Sequence, residues 1–155
     1  MKITLLVVGK TTDKHLDTLI SDYCGRLKHY IPFDIQVIGD MSKGKVSIDV
    51  QKRQEGELIL KAVAPTTALI LLDERGEQFR SLDFATYLQK QMSSGRDVVF
   101  VVGGPYGFSK EVYDRANGMI SLSKMTFSHQ MIRLLFVEQL YRACTIIRNE
   151  PYHHE

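Results

Sequence analysis

Unbroken apolar runs alternate along the chain with stretches in which apolar residues recur every third or fourth position, and this rhythm predicts strands and helices in turn. Ile3 to Val8 is an apolar, β-branched run closed by Gly9 and reads as a buried strand. Thr12 or Asp13 supplies a cap for a helix to about His29, whose Leu16, Leu19, Ile20, Tyr23 and Leu27 are expected to share one buried face. Pro32 ends it, and Phe33 to Ile38 alternates apolar with polar residues, as a strand near a sheet edge does. Gly39 to Ser47 has no period and reads as a loop whose lysines face solvent or a polyanion. A polar helix from about Asp49 to Ala62 stops before Pro65.

The second half repeats the theme. Ala68 to Leu72 is a compact strand, and Ser81 is expected to cap a helix to Met92 with Leu82, Ala85, Leu88 and Met92 inward. Val98 to Val102 is the next central strand, followed by a short helix near Lys110 to Ala116 and a short strand near Met119 to Leu122. A last helix from about Gln130 to Ile147 is apolar nearly all round, which implies a partner surface, most simply a second copy of the chain. Strands read as continuous apolar runs between helices indicate an α/β fold, a parallel sheet with helices on both faces. The 155 residues carry no linker or internal repeat, so one domain over residues 1–155 is expected.

Composition removes several alternatives. Hydrophobic residues are 44% and charged residues 25%, as in ordinary globular domains. Apolar runs such as Val98 to Val102 fall far short of the ~20 residues of a membrane helix, and the start of the chain lacks an apolar signal core, so a cytoplasmic protein without a membrane span is expected. Lys and Arg total 20 against 18 Asp and Glu, a net charge of +2 that gives no broad field for capturing polyanions. Cys24 and Cys144 are far apart and read as small buried hydrophobes. Gly9-Lys10-Thr11 lacks the glycine a P-loop requires at the position of Thr4, and no G-x-G-x-x-G follows the first strand.

Ligands of open α/β sheets sit outside the carboxyl ends of the strands, which singles out the segments Asp73 to Gln78, Gly103 to Ser109 and Ser123 to Ser128. Gly103, Gly104 and Gly107 let backbone approach a ligand closely. His129 stands at the mouth of the last helix, where a neutral imidazole accepts a proton near neutral pH. Of the arginines on that helix, Arg133 is expected to be solvated or ion-paired, whereas Arg142 sits among apolar neighbours and suits a phosphate or carboxylate. The ending Pro151-Tyr152-His153-His154-Glu155 would ordinarily fray, yet Tyr152 offers a stacking face for an unpaired base and the two histidines offer donors. His129, His153 and His154 complete no known ligand spacing, so no metal is expected.

Five blocks, in order and over the whole chain, carry a family resemblance. They are Leu71-Leu72-Asp73, Val101 to Gly107, Leu122 to His129, Glu138 to Ala143 and Pro151 to Glu155. Together they resemble the SPOUT-class methyltransferases that act on N3 of a pseudouridine in large-subunit (23S) ribosomal RNA. The resemblance implies a C-terminal trefoil knot, which runs against the general rule that chains do not knot. It implies S-adenosyl-L-methionine bound by Leu72, Asp73, Gly103, Gly104 and the loop Leu122, Ser123, Lys124, Met125, Thr126 and Phe127. It implies a homodimer through the last helix, with catalytic or target-contacting roles for His129, Arg142, Tyr152, His153 and His154. His154 stands where some relatives of that class carry a permanent cation. The implied substrate is the assembled ribosome, at its subunit interface, and recognition of a shaped particle agrees with the small net charge. Two other readings are a SPOUT methyltransferase acting on transfer RNA and a non-catalytic dimeric protein that binds RNA or cofactor.

Overall fold

The computed structural model describes residues 1–39 and 46–155; most of the loop expected between Gly39 and Ser47 lies outside the described residues. Five strands, β1 (Ile3–Val8), β2 (Phe33–Ile38), β3 (Ala68–Gln78), β4 (Val98–Val102) and β5 (Gly118–Ser121), form one all-parallel sheet in the order β2-β1-β4-β3-β5. β4 is central and all five of its residues are buried, as its unbroken run of Val and Phe requires. β2 is an edge strand, and its alternation of half-buried and exposed residues follows from covering only one face.

The helices divide between the two faces. α1 (Lys14–Leu27), α3 (Ser81–Ser93) and α5 (Met131–Ile147) pack with Ile3, Leu5, Val7, Ile70 and Phe100, while α2 (Ile48–Ala62) and α4 (Lys110–Arg115) pack with Leu6, Leu69, Leu71, Val99 and Val101. These two sets are the alternate positions of the strands, so each central strand buries both faces. α5 lies between α1 and α3, and its Phe136 ring meets Phe100 with centroids 4.9 Å apart.

Local caps hold most of these elements where the sequence placed them. The Asp13 carboxylate accepts from the backbone N–H of His15 and Leu16 at the start of α1. Three expectations are corrected. Leu19 and Leu82 are 46% and 39% exposed rather than inward, because α1 and α3 each touch the core on one side only and Phe84 takes the inward place on α3. Ser81 is the first residue of α3, not its cap, and its hydroxyl bonds Gln139 of α5 instead. β3 does not stop at Leu72: it pairs with β5 up to Ile120, shifts register, and pairs again through Glu77 and Gln78. The shift makes residues 73–76 bulge, and Gly76 lies so close to β5 that a Cβ there would meet the Ile120 nitrogen at 2.6 Å.

Candidate functional site

The carboxyl ends of β3, β4 and β5 open into a cavity of about 590 Å³. Its walls include Leu72, Asp73, Gly103, Gly104, Leu122, Ser123, Met125, Thr126, Phe127 and His129, so the three segments chosen from sheet geometry do meet. Lys124 is exposed and is not part of the lining. Gly103 must lack a side chain here, since a Cβ would meet the Phe108 ring at 2.9 Å.

Hydrogen bonds tie the segments to one another. Thr126 Oγ1 donates to Glu74 Oε2 at 2.8 Å, pinning the loop after β5 to the β3 bulge. The Tyr113 hydroxyl donates to Asp73 Oδ2 at 2.5 Å, and Arg75 donates to Asp73 Oδ1 from its backbone N–H at 2.9 Å and from Nε at 3.3 Å. Arg75 also bonds the Tyr113 hydroxyl and lies over that ring, 5.0 Å from its centroid. Burial pushes the Asp73 carboxyl up, but the bonds from Tyr113 and Arg75 prevail and hold it below the ordinary carboxylate value. Burial, then the carboxylate, pushes the Tyr113 phenol up. Asp73 is therefore an anion locked in orientation at the bulge of β3. Tyr113 escaped the sequence reading because it sits on a short helix with no period to mark it, and Arg75 was included only as part of the segment Asp73 to Gln78.

His129 lies half-buried in the same cavity. Burial, and secondarily the nearby Arg133 guanidinium, lower its pKa below the ordinary value. Its Nδ1 is buried without a hydrogen-bond partner among the described residues.

Arg133 overturns its expectation. It is 1% exposed and ion-pairs with no carboxylate among the described residues. Its guanidinium instead donates to the carbonyls of His129, Gly9 and Val8 at 2.9, 2.9 and 3.0 Å and to Thr11 Oγ1 at 3.0 Å. The reason is positional: α5 begins directly above the end of β1, where backbone carbonyls run out of strand partners.

The remaining expected residues form a second cluster on the outer face of α5. Arg142 donates to Glu138 Oε1 at 2.6 Å and to His153 Nδ1 at 3.1 Å, and its guanidinium lies 4.7 Å from the Tyr152 centroid. The Tyr152 hydroxyl bonds Glu138 Oε1 at 3.0 Å and its ring packs edge-on against Tyr141, centroids 4.8 Å apart. The ending is thus fastened rather than frayed. Because His153 Nδ1 accepts from arginine, the neutral ring carries its proton on Nε2, which is buried with no hydrogen-bond partner and has Glu155 Oε1 3.5 Å away. His154 is exposed. None of Arg142, Tyr152, His153 and His154 lines the large cavity within the chain.

Among the described residues no three His, Cys, Asp or Glu side chains gather as a metal site would require, and no helix is long and apolar enough to cross a membrane. Cys24 and Cys144 are free thiols, the second buried and the first half-buried.

Comparison with known proteins adds two findings. Residues 1–153 match the family described as "Predicted SPOUT methyltransferase". Over the full length of both chains the sequence is 57% identical to proteins of Phocaeicola vulgatus and Bacteroides thetaiotaomicron and 58% identical to one of Parabacteroides distasonis, each named "Ribosomal RNA large subunit methyltransferase H".

Proposed function

The chain belongs to the SPOUT methyltransferase family, and from that membership we propose that it methylates N3 of a pseudouridine in large-subunit (23S) ribosomal RNA on the assembled ribosome. The observation that carries the reading is the cavity at the strand ends, lined by all but Lys124 of the cofactor residues that the family resemblance selects. Full-length relatives named for large-subunit ribosomal RNA support the substrate class.

S-adenosyl-L-methionine is the proposed donor, and when bound it supplies an electrophilic methyl group on a sulfonium centre. The residues present fit such a group. Leu72, Ile120, Leu122 and Ile132 give the cavity apolar walls, Asp73 is an oriented anion, Gly103 and Gly104 expose backbone, and His129 is part of the lining. Transfer to an imide nitrogen asks the protein mainly to align donor and acceptor and to let the N3 proton leave. His129, whose pKa burial holds below the ordinary value, offers an imidazole to take a proton from a bound group or a bridging water. Arg142 is held by Glu138 and stacked on Tyr152, which presents a guanidinium of fixed plane to base or phosphate.

One SPOUT domain over residues 1–155, a C-terminal trefoil knot, a cytoplasmic location and a homodimer complete the proposal. The second copy is proposed to seat on α5, whose Met131 is 39% exposed.

The test is incorporation of label from methyl-tritiated S-adenosylmethionine into assembled ribosomes, separate subunits and transfer RNA from cells lacking this gene. Label confined to 23S RNA of assembled ribosomes is expected. Label in transfer RNA overturns the substrate, and cofactor binding without any label makes the protein non-catalytic.

A further inference from the structure

Beside the large cavity lies a second one of about 370 Å³, between the start of α3 and the outer face of α5. The two share a wall of Ile120, Ser121, Leu122 and Phe127, so a group in the smaller cavity is one side chain away from the large one. Phe79, Phe84 and Phe127 give it aromatic surfaces, and Ser81 and Gln139 give it polar ones. Its size is at the low end for a ligand seat, which suits one nucleobase rather than a cofactor.

The polar side is backed by a chain of side-chain contacts, most of them hydrogen bonds. Ser81 Oγ donates to Gln139 Oε1 at 3.1 Å, and Gln139 Nε2 donates to Glu138 Oε2 at 3.1 Å. Glu138 holds Arg142, Arg142 holds His153, His153 lies beside Glu155, and Glu155 Oε1 accepts from Arg80 at 3.0 Å, next to Ser81 again. Gln139 is only half used in these contacts. A carboxamide oxygen accepts two hydrogen bonds and its nitrogen donates two. With one of each engaged, the side chain keeps one acceptor and one donor position, and it is part of the cavity lining.

We propose that this second cavity is the seat of the acceptor base and that Gln139 reads the N1–H and C2=O edge of a pseudouridine. The assignment rests on the reaction proposed above. In pseudouridine the sugar is attached through C5, so N1 carries a hydrogen that uridine lacks, and N1–H beside C2=O is a donor–acceptor pair matching the free acceptor and donor of Gln139. A base gripped by that edge leaves N3, on the other side of C2=O, free of the glutamine and open to methyl transfer. Gln139 therefore acts as a specificity residue that touches substrate, while Ser81 and Glu138 fix the orientation of its amide.

The experiment compares ribosomes that carry the target pseudouridine with ribosomes that carry uridine there, taken from cells unable to form it. The wild-type protein should methylate the first in preference to the second. In Gln139→Leu, kcat/KM on the pseudouridine particle should fall about tenfold, the loss of one to two hydrogen bonds, and the preference should vanish. In Leu135→Trp, which fills the cavity, methyl transfer should be lost. Calorimetry with S-adenosylmethionine should return an unchanged Kd in both variants. Preference retained in Gln139→Leu, methyl transfer retained in Leu135→Trp, or cofactor binding lost in either overturns the assignment. A changed oligomeric mass in Leu135→Trp also overturns it and assigns the cavity to a second copy. A wild-type protein that labels no pseudouridine particle fails before any substitution is made, which overturns the proposed reaction and is thereby distinguished.

Discussion

At His129 the unpartnered Nδ1 and the lowered pKa come from the same cause, burial beside the Arg133 guanidinium. A folded-state pKa below the unfolded value means that the unfolded chain binds the extra proton first. Stability is then retained above the unfolded value of ~6.5 and lost as pH falls below it. His129→Gln should accordingly show a smaller drop in Tm between pH 7.5 and pH 5.5 than the wild type, read by thermal melts at both values. Arg142→Ala should abolish methyl transfer while leaving cofactor affinity intact, since Arg142 does not line the large cavity; loss of cofactor binding would contradict its placement. Arg133→Ala should cost about 3–5 kcal/mol in urea unfolding, because it leaves strand-end carbonyls without donors in the interior. Arg133→Lys should recover only part of that, as an ammonium does not span acceptors from four residues. Arg133 was illegible beforehand because its acceptors are backbone groups of Val8 and Gly9, and a carbonyl leaves no mark in a sequence.

The elements themselves were readable where one periodicity ruled. β1, β2 and β4 match their expected bounds, and α5 starts within a residue of its expected position, since long apolar runs and a β-branched pattern leave little choice. The second pass of β3 was not readable. Its Asp73 to Gln78 segment is polar and aperiodic, and it stays in the sheet only because β5 offers a partner edge after a register shift. α5 was read as apolar nearly all round, and the structure accounts for most of that by seating it between α1 and α3 with Phe136, Val137, Leu140 and Ala143 inward. Phe136 is fully buried against Phe100, so Phe136→Ala should lower unfolding free energy by about 3–5 kcal/mol. The site split the same way. Loops were legible from strand order alone, but the contacts that join Arg80 to Glu155 and Ser81 to Gln139 bring together residues with no common motif.

For the molecule as a whole, a net charge of +2 bounds how RNA is engaged. A protein neutralising 6–10 phosphates loses ~10³–10⁵ in affinity between 50 and 200 mM salt. Methyl transfer to ribosomes by this chain should weaken by less than about tenfold over that range, and a steeper dependence in filter-binding would point to a charge-driven contact instead. The strand order has another consequence, for the time course of folding. Ile3 of β1 pairs with Val98 of β4, and β4 in turn pairs with β3. During synthesis β1 therefore emerges with one edge open and waits for nearly a hundred further residues before its neighbour exists. Long-range parallel pairing of this kind is slow, on the order of milliseconds to seconds, and leaves an apolar edge available to other chains meanwhile. The nascent chain thus spends most of its own translation in need of shielding, even though the finished sheet leaves no trace of that exposure.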